Sequence, residues 1–271
     1  MPELGKPIAL GRTAEIYAWK EGQVLKLFYD WFPVSAIEYE ARVAQAVYAS
    51  GMPVPAPGDL IKVEGRLGLV YERLDGPTML HVLQKQPWRL AALVQQFAEL
   101  HANMHAISTT EPPSQRERLQ HKIMDAKPLS EPLKQGALSA LASLPEGHSL
   151  CHGDFHPGNI LMTAKGPVVI DWIDVTSGHP LADFARTAVL LRFGAPLPQN
   201  PLGPILQLTR NRLYRTYHKR YFELTHANPD DVQAWIPVIA AARLNEGITE
   251  EEKNLVSIVQ NAFAPLSGAG K

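Results

Sequence analysis

At 271 residues the chain has room for two ordinary domains or one two-lobed enzyme, and a hydrophobic share of 45% allows a substantial core. Lys and Arg number 26 against 27 Asp and Glu, a balance that excludes a global field of either sign able to recruit nucleic acid or an acidic membrane surface. The lone Cys151 excludes an internal disulfide, and no apolar window reaches signal-peptide length at the start or membrane-span length elsewhere. The expected compartment is therefore the cytoplasm, with no nucleic-acid or membrane partner.

Residues 8–10, 14–19 and 24–29 alternate in the manner of strands, the last two joined by a turn at 20–23 that contains Gly22. Gly11 lies in the loop GRTAEIY between the first two, and Arg12 and Thr13 beside it sit at a tip that either holds an anion or is simply solvated. In VLKLF a period of two puts Val24, Lys26 and Phe28 on one face, so Lys26 is a charge within an apolar strand and needs a partner. The helix after Trp31-Phe32-Pro33 offers one. Ser35 with Glu38 reads as a capping box, while Glu40, one turn from Ala44 and two from Val47 on the apolar side, is left to pair with Lys26.

Residues 50–60, rich in Pro and Gly, lead to two more strands at 60–64 and 67–73 with a Gly65-Arg66 turn, which makes five strands and one helix. From Trp88 onward the period changes: Leu90, Leu93, Val94, Phe97, Leu100, Met104 and Ile107 mark a helix with one buried face. His101 and His105 share a face of it. With no third ligand and no H-E-x-x-H pattern, they read as core or interface histidines rather than a zinc site. A polar loop at 109–118 and helices at 115–124 and 132–144 follow.

The segment HGDFHPGNI, residues 152–160, sets Asp154 and Asn159 five apart, and an apolar strand at 168–170 then ends in Asp171. Turn chemistry explains an Asp or an Asn near Gly153, Pro157 and Gly158 one at a time, but not the whole spacing. Phosphoryl transfer from a nucleotide asks for one aspartate to orient the acceptor hydroxyl and for oxygen ligands to hold magnesium on the phosphates. His-x-Asp-x-x-x-x-Asn followed by a strand-ending Asp supplies them in kinase order: Asp154 as base, Asn159 and Asp171 as metal ligands. Cys151, just before, reads as a small buried strand residue.

HGDFHPGNIL followed by IDW resembles the aminoglycoside phosphotransferase and choline kinase group, where a protein kinase would show HRD, DFG and APE. The resemblance covers nearly the whole chain in its order of elements, but only those two segments match specifically, and the glycine loop departs from G-x-G-x-x-G. It implies an α+β, bilobal protein-kinase-like fold: an antiparallel sheet lobe with one main helix over residues 1–75, binding nucleotide, and a mostly helical catalytic and acceptor-binding lobe over 76–271. It also implies ATP and magnesium as cofactors and a small-molecule hydroxyl acceptor of aminoglycoside, choline or sugar type. Lys26, oriented by Glu40, would hold the nucleotide phosphates under the loop of Gly11 and Thr13. Backbone groups at Glu72 and Leu74 would meet the adenine edge; Leu67, Leu69 and Val70 would be its walls, a pattern that ordinary strand burial explains equally well. His152 would brace the loop, His156 would either touch phosphate or not, and Asp183 would brace the catalytic loop from beneath. The competing readings are a protein kinase and a nucleotide-binding regulator without transfer activity, which would have no need of the base.

After Asp171, GHPLADFARTAVLL reads as a turn entering a helix with Asp183 and Arg186 near its start. Helical patterns follow at 202–225, 231–245 and 249–263, the last opening on Thr249 and Glu252 as a capping box. Arg212, Arg215 and Lys219 form a basic stripe, either a solvated face or an attraction for an anionic acceptor. Residues 264–271 read as a frayed end. Nothing in the pattern specifies an oligomeric state.

Overall fold

The structure is a computed structural model that describes residues 4–194 and 203–264, so the expected fraying of 265–271 lies outside the described residues. In chain order β1 (Ala9–Leu10), β2 (Ala14–Ala18) and β3 (Gln23–Phe28) precede α1 (Val34–Ala49), then β4 (Pro57–Val63), β5 (Arg66–Glu72) and α2 (Met79–Lys85). Next come α3 (Leu90–His105), α4 (Gln115–Met124), α5 (Glu131–Ser143), β6 (Ser149–Cys151), β7 (Ile160–Thr163), β8 (Gly166–Val169) and β9 (Thr176–Gly178). Four helices complete it: α6 (Pro180–Phe193), α7 (Gly203–Thr225), α8 (Val232–Arg243) and α9 (Thr249–Phe263). The α+β expectation is met, an antiparallel sheet first and helices after.

Two compact units result. The first takes Met1–Lys85 and also Pro157–Asp174; the second takes Gln86–His156 and Val175–Lys271. In the first unit the sheet order is β1-β2-β3-β5-β4, antiparallel throughout. Strand alternation gives this sheet two buried faces. Phe28 and Leu69 pack with Ile37 of α1 on one, while Tyr17, Leu25, Leu27, Val63 and Val70 cluster on the other. Lys26 belongs to the α1 face, as its phase with Phe28 requires, and Val70 does not, so of the three expected adenine walls only Leu67 and Leu69 share the side of Lys26. The β4–β5 turn is Glu64-Gly65, both at positive φ, rather than Gly65-Arg66, because a two-residue hairpin twisted like its strands needs that conformation at both positions.

Neither expected capping box forms. Pro33, extended and fixed in φ, becomes the N-cap of α1, and its carbonyl accepts from Ala36 and Ile37, which moves Ser35 inside the first turn and leaves Glu38 exposed. At α9 the N-cap is Ile248, and Glu250, Glu251 and Glu252 fill the first turn, where the helix dipole favours them without a side-chain cap. Helix α2 lies in a stretch for which the sequence pattern names no element, and α3 starts at Leu90 after a 3-10 turn over Pro87–Arg89, ending before Ile107.

In the second unit α3 packs on α7 and α6 on α8, around stacked rings of Phe97, Phe155, His101, Tyr217, Phe184 and Tyr221. Strand β6 pairs with β9, which holds Cys151, fully buried, immediately before the HGDFHPGNI segment. No helix among the described residues is long and apolar enough to cross a membrane.

Candidate active site

In the first unit Lys26 Nζ lies 2.6 Å from Glu40 Oε1, the partner that its burial demanded. Both are largely shielded, with side-chain exposures of 17% and 7%. Tyr71, whose role the sequence did not announce, donates its hydroxyl to the same Glu40 oxygen at 3.3 Å. Burial first, and then the negative charges of Glu40 and Asp171, push the Tyr71 hydroxyl far above its ordinary range, so it stays a donor. Glu40 Oε2 is buried with no hydrogen-bond partner among the described residues. An orphan carboxylate oxygen beside a lysine fits a site in which a cation or a ligand donor completes the set. Substituting Glu40→Gln removes the ion pair and leaves an ammonium-to-amide hydrogen bond in its place, a difference of about 1 kcal/mol, and should raise the KM for ATP roughly fivefold in a steady-state assay.

The hairpin of β7 and β8 places the two expected metal ligands. Ile160 is opposite Val169 in its register, and Ile170 N donates to Asn159 O at 2.9 Å, so Asn159 and Asp171 stand at matching ends of adjacent strands. The strand stops at Val169 rather than at Ile170, and Asp171 follows in the left-handed region at φ +65°. Such a conformation costs an L-residue roughly 1–2 kcal/mol, a strain that the surrounding fold must hold in place. A carboxylate and a carboxamide suit a hard divalent cation such as magnesium. Asp171→Gly should therefore leave thermal stability within about 1 kcal/mol of the parent, since relief of strain offsets the added chain freedom, while magnesium-dependent ATP binding falls at least tenfold by titration calorimetry.

The other expected nucleotide contacts are also in this unit. The Gly11 amide donates to Ala14 O at 2.9 Å, closing the β1–β2 loop, and Thr13 O accepts from Tyr29 N at 3.0 Å. Glu72 N donates to Ala56 O at 2.8 Å and Glu72 Oε2 accepts from Ala56 N at 3.3 Å; Leu74 follows, half-buried, in the extended connector.

Asp154 belongs to the second unit, five residues ahead of Asn159. Its Oδ1 accepts from Arg186 at 3.1 Å, and its Oδ2 lies 3.5 Å from His156 Nε2. Burial alone would push its carboxyl up, but hydrogen bonding from His156 and the Arg186 charge prevail and hold it well below the usual carboxylate range. The His152 ring is fully buried and its Nδ1 accepts from Asp154 N at 3.2 Å, a brace rather than an exposed proton carrier.

Beneath this loop Asp183, 1% exposed, accepts from His152 N and Gly153 N, each at 2.8 Å. Its Oδ2 also faces His101 Nε2 at 3.1 Å and His105 Nε2 at 3.2 Å, whose Nδ1 atoms lie 2.6 Å from the hydroxyls of Tyr217 and Tyr221. With each imidazole neutral and its proton on Nε2, the histidines donate to Asp183 and the tyrosines donate to Nδ1, so every group is satisfied. The three ligand-type atoms lie within 4.8 Å of one another, so Asp183 is the third ligand-type group that the sequence did not reveal; both histidines are buried and hydrogen-bonded in this network. Burial holds His101 down to about 3, against the pull of the Asp183 charge.

The sequence reading noted Arg186 without a role and overlooked Arg243, Glu246 and Glu251. The available signal was the one used for Lys26: α6 is buried along nearly its whole length, and a charge in such a helix must find a partner.

The family model for the phosphotransferase enzyme family matches residues 5–222. No curated protein sequence matches the chain. Among solved structures, an amicoumacin kinase in complex with AMP-PNP, Ca2+ and Ami is similar with a TM-score of 0.63 at 15% identity, over 97% of this chain and 88% of that one. The ADP-bound aminoglycoside phosphotransferase APH(2'')-Ib gives 0.60 at 14% identity, over 97% and 93%. A choline/ethanolamine kinase family protein from Mesorhizobium loti gives 0.59 at 14% identity, over 97% and 86%. At such identities the likeness is one of fold, the kinase-like one.

Proposed function

Because the chain belongs to the phosphotransferase enzyme family, we propose that it transfers the γ-phosphoryl group of ATP to a hydroxyl of a small molecule, with magnesium, in the cytoplasm. The observation that carries this reading is the shielded Lys26–Glu40 ion pair in the same unit as the Asn159 and Asp171 hairpin ends. Lys26 holds the nucleotide phosphates, Glu40 and Tyr71 fix its ammonium, and Asn159 with Asp171 holds the cation. When bound, magnesium neutralises charge on the phosphate oxygens. Asp154 orients the acceptor. As the acceptor oxygen bonds to the γ-phosphorus and the bond from phosphorus to the oxygen of ADP breaks, the hydroxyl proton passes to its carboxylate.

The aminoglycoside, choline and antibiotic kinases that share the fold support a metabolite-sized acceptor over a peptide, as does the absence of HRD and DFG from the chain. The test is ADP release with magnesium and ATP across a panel of aminoglycosides, amino alcohols, choline-like amines and sugars, with phosphorus NMR of any product. An ester of one hydroxyl is expected, and transfer to peptides alone would overturn the reading.

A further inference from the structure

Five charged side chains of the second unit run in alternating sign from the catalytic loop to the C-terminal helices. Arg186 NH2 lies 3.1 Å from Asp154 Oδ1 and 2.7 Å from Glu246 Oε1; Arg243 NH1 lies 2.8 Å from Glu246 Oε2, and Arg243 NH2 lies 2.7 Å from Glu251 Oε1. Lys122 is a further cation at 3.9 Å from Glu246. We propose that Arg186 is a positioning residue of the transfer reaction, holding the Asp154 carboxylate in its working orientation, and that Glu246 moderates its grip. This rests on the phosphotransfer reading.

The argument is geometric. Asp183 and Arg186 are three apart on α6 and therefore share a face, and both hold the catalytic loop. Asp183 takes the amides of His152 and Gly153, while Arg186 Nε donates to Gly153 O at 3.1 Å and its NH2 reaches the Asp154 side chain. One rigid helix thus sets the backbone of the loop and the direction of its carboxylate. The planar fork suits this task, because separate nitrogens reach a carbonyl and a carboxylate in one fixed geometry, which the single rotatable nitrogen of an ammonium does not supply. Sharing the same NH2 with Glu246 divides the attraction, so the guanidinium steers Asp154 without neutralising it. The 3-10 turn Leu244–Glu246, joined to α9 through Arg243, carries that counter-charge from the helices expected to face the acceptor.

The test uses magnesium-ATP alone, with water as the acceptor, so that no acceptor need be identified. Arg186→Ala should lower ADP release by up to about a hundredfold, the usual cost of a misplaced reacting group, with the KM for ATP within about twofold of the parent. Added guanidinium should restore part of it. Arg186→Lys, which keeps the charge and loses the fork, should fall by about tenfold, and Glu246→Gln by about threefold, in the same range of effect as a lost hydrogen bond. Folding is followed by circular dichroism. Parent-like turnover in either Arg186 variant overturns the inference, including the case in which Arg186→Ala fails to fold while Arg186→Lys is fully active. Should the parent release no ADP with water, the same variants are compared on the acceptor that the panel identifies; a parent inactive with every acceptor overturns the phosphotransfer reading first and this inference with it.

Discussion

Replacing Asp183 by alanine is expected to cost at least about 4 kcal/mol of stability, because four N–H donors that now meet a buried carboxylate would be left unpaired at about 1–3 kcal/mol each before relaxation. For a chain of this size that is a fall in Tm of roughly 10 °C or more, measured by calorimetry, and with net stabilities of only about 5–15 kcal/mol much of the variant should be unfolded at 37 °C. The carboxylate also sits in the first turn of α6, where the helix dipole favours its charge. A fall under about 2 °C would show that the loop is held by something else. The same network predicts acid sensitivity. His101 is held at about 3, below its unfolded value of about 6.5, so the unfolded chain takes the proton first; stability is full above that unfolded value and is lost as pH falls toward 3. Asp183 lies well below its ordinary value, so its contribution is present above the unfolded carboxylate range and fades as pH drops beneath it. Both act in one direction: Tm should decline steadily from pH 7 to pH 4.

Asp154→Ala should lower transfer by roughly a hundredfold to ten-thousandfold, the usual contribution of a positioned general base, and leave ATP affinity close to that of the parent. The separation follows from the proposed roles, in which Asp154 meets the acceptor while Lys26, Glu40, Asn159 and Asp171 serve the nucleotide and its cation. Held far below the ordinary carboxylate range, Asp154 is ionised at neutral pH and weakly basic, so in the proposed reaction it would point the hydroxyl and collect a proton that becomes acidic only as the new bond forms. Single-turnover release of ADP, set beside a nucleotide titration, separates the two effects. Parent-like turnover would remove Asp154 from the chemistry.

The strands were legible because alternation is a local signal: all five of the first sheet were read within a few residues of their ends. The Lys26–Glu40 pair was legible for a different reason, since a charge in an apolar strand demands a partner and the next helix offered one on its inward side. Partners distant in sequence were not. Arg186 meets Glu246 sixty residues away, and helical period tells which face a side chain is on but not what it will touch. Helix α2 escaped because seven residues after a proline give too few turns to show a period. Both capping boxes failed since Ser or Thr three before Glu occurs as readily inside a first turn as at its edge.

The hairpin bearing Asn159 and Asp171 is donated to the first unit from the middle of the chain, between two stretches of the second. Neither half of the enzyme is therefore a cassette. Excising residues 1–85 would strip α2 of the strand it rests on and separate Lys26 from Asn159 and Asp171, and grafting the remainder onto a foreign head would carry those two residues to the wrong host. Chimeras of this chain must be spliced at three junctions or not at all.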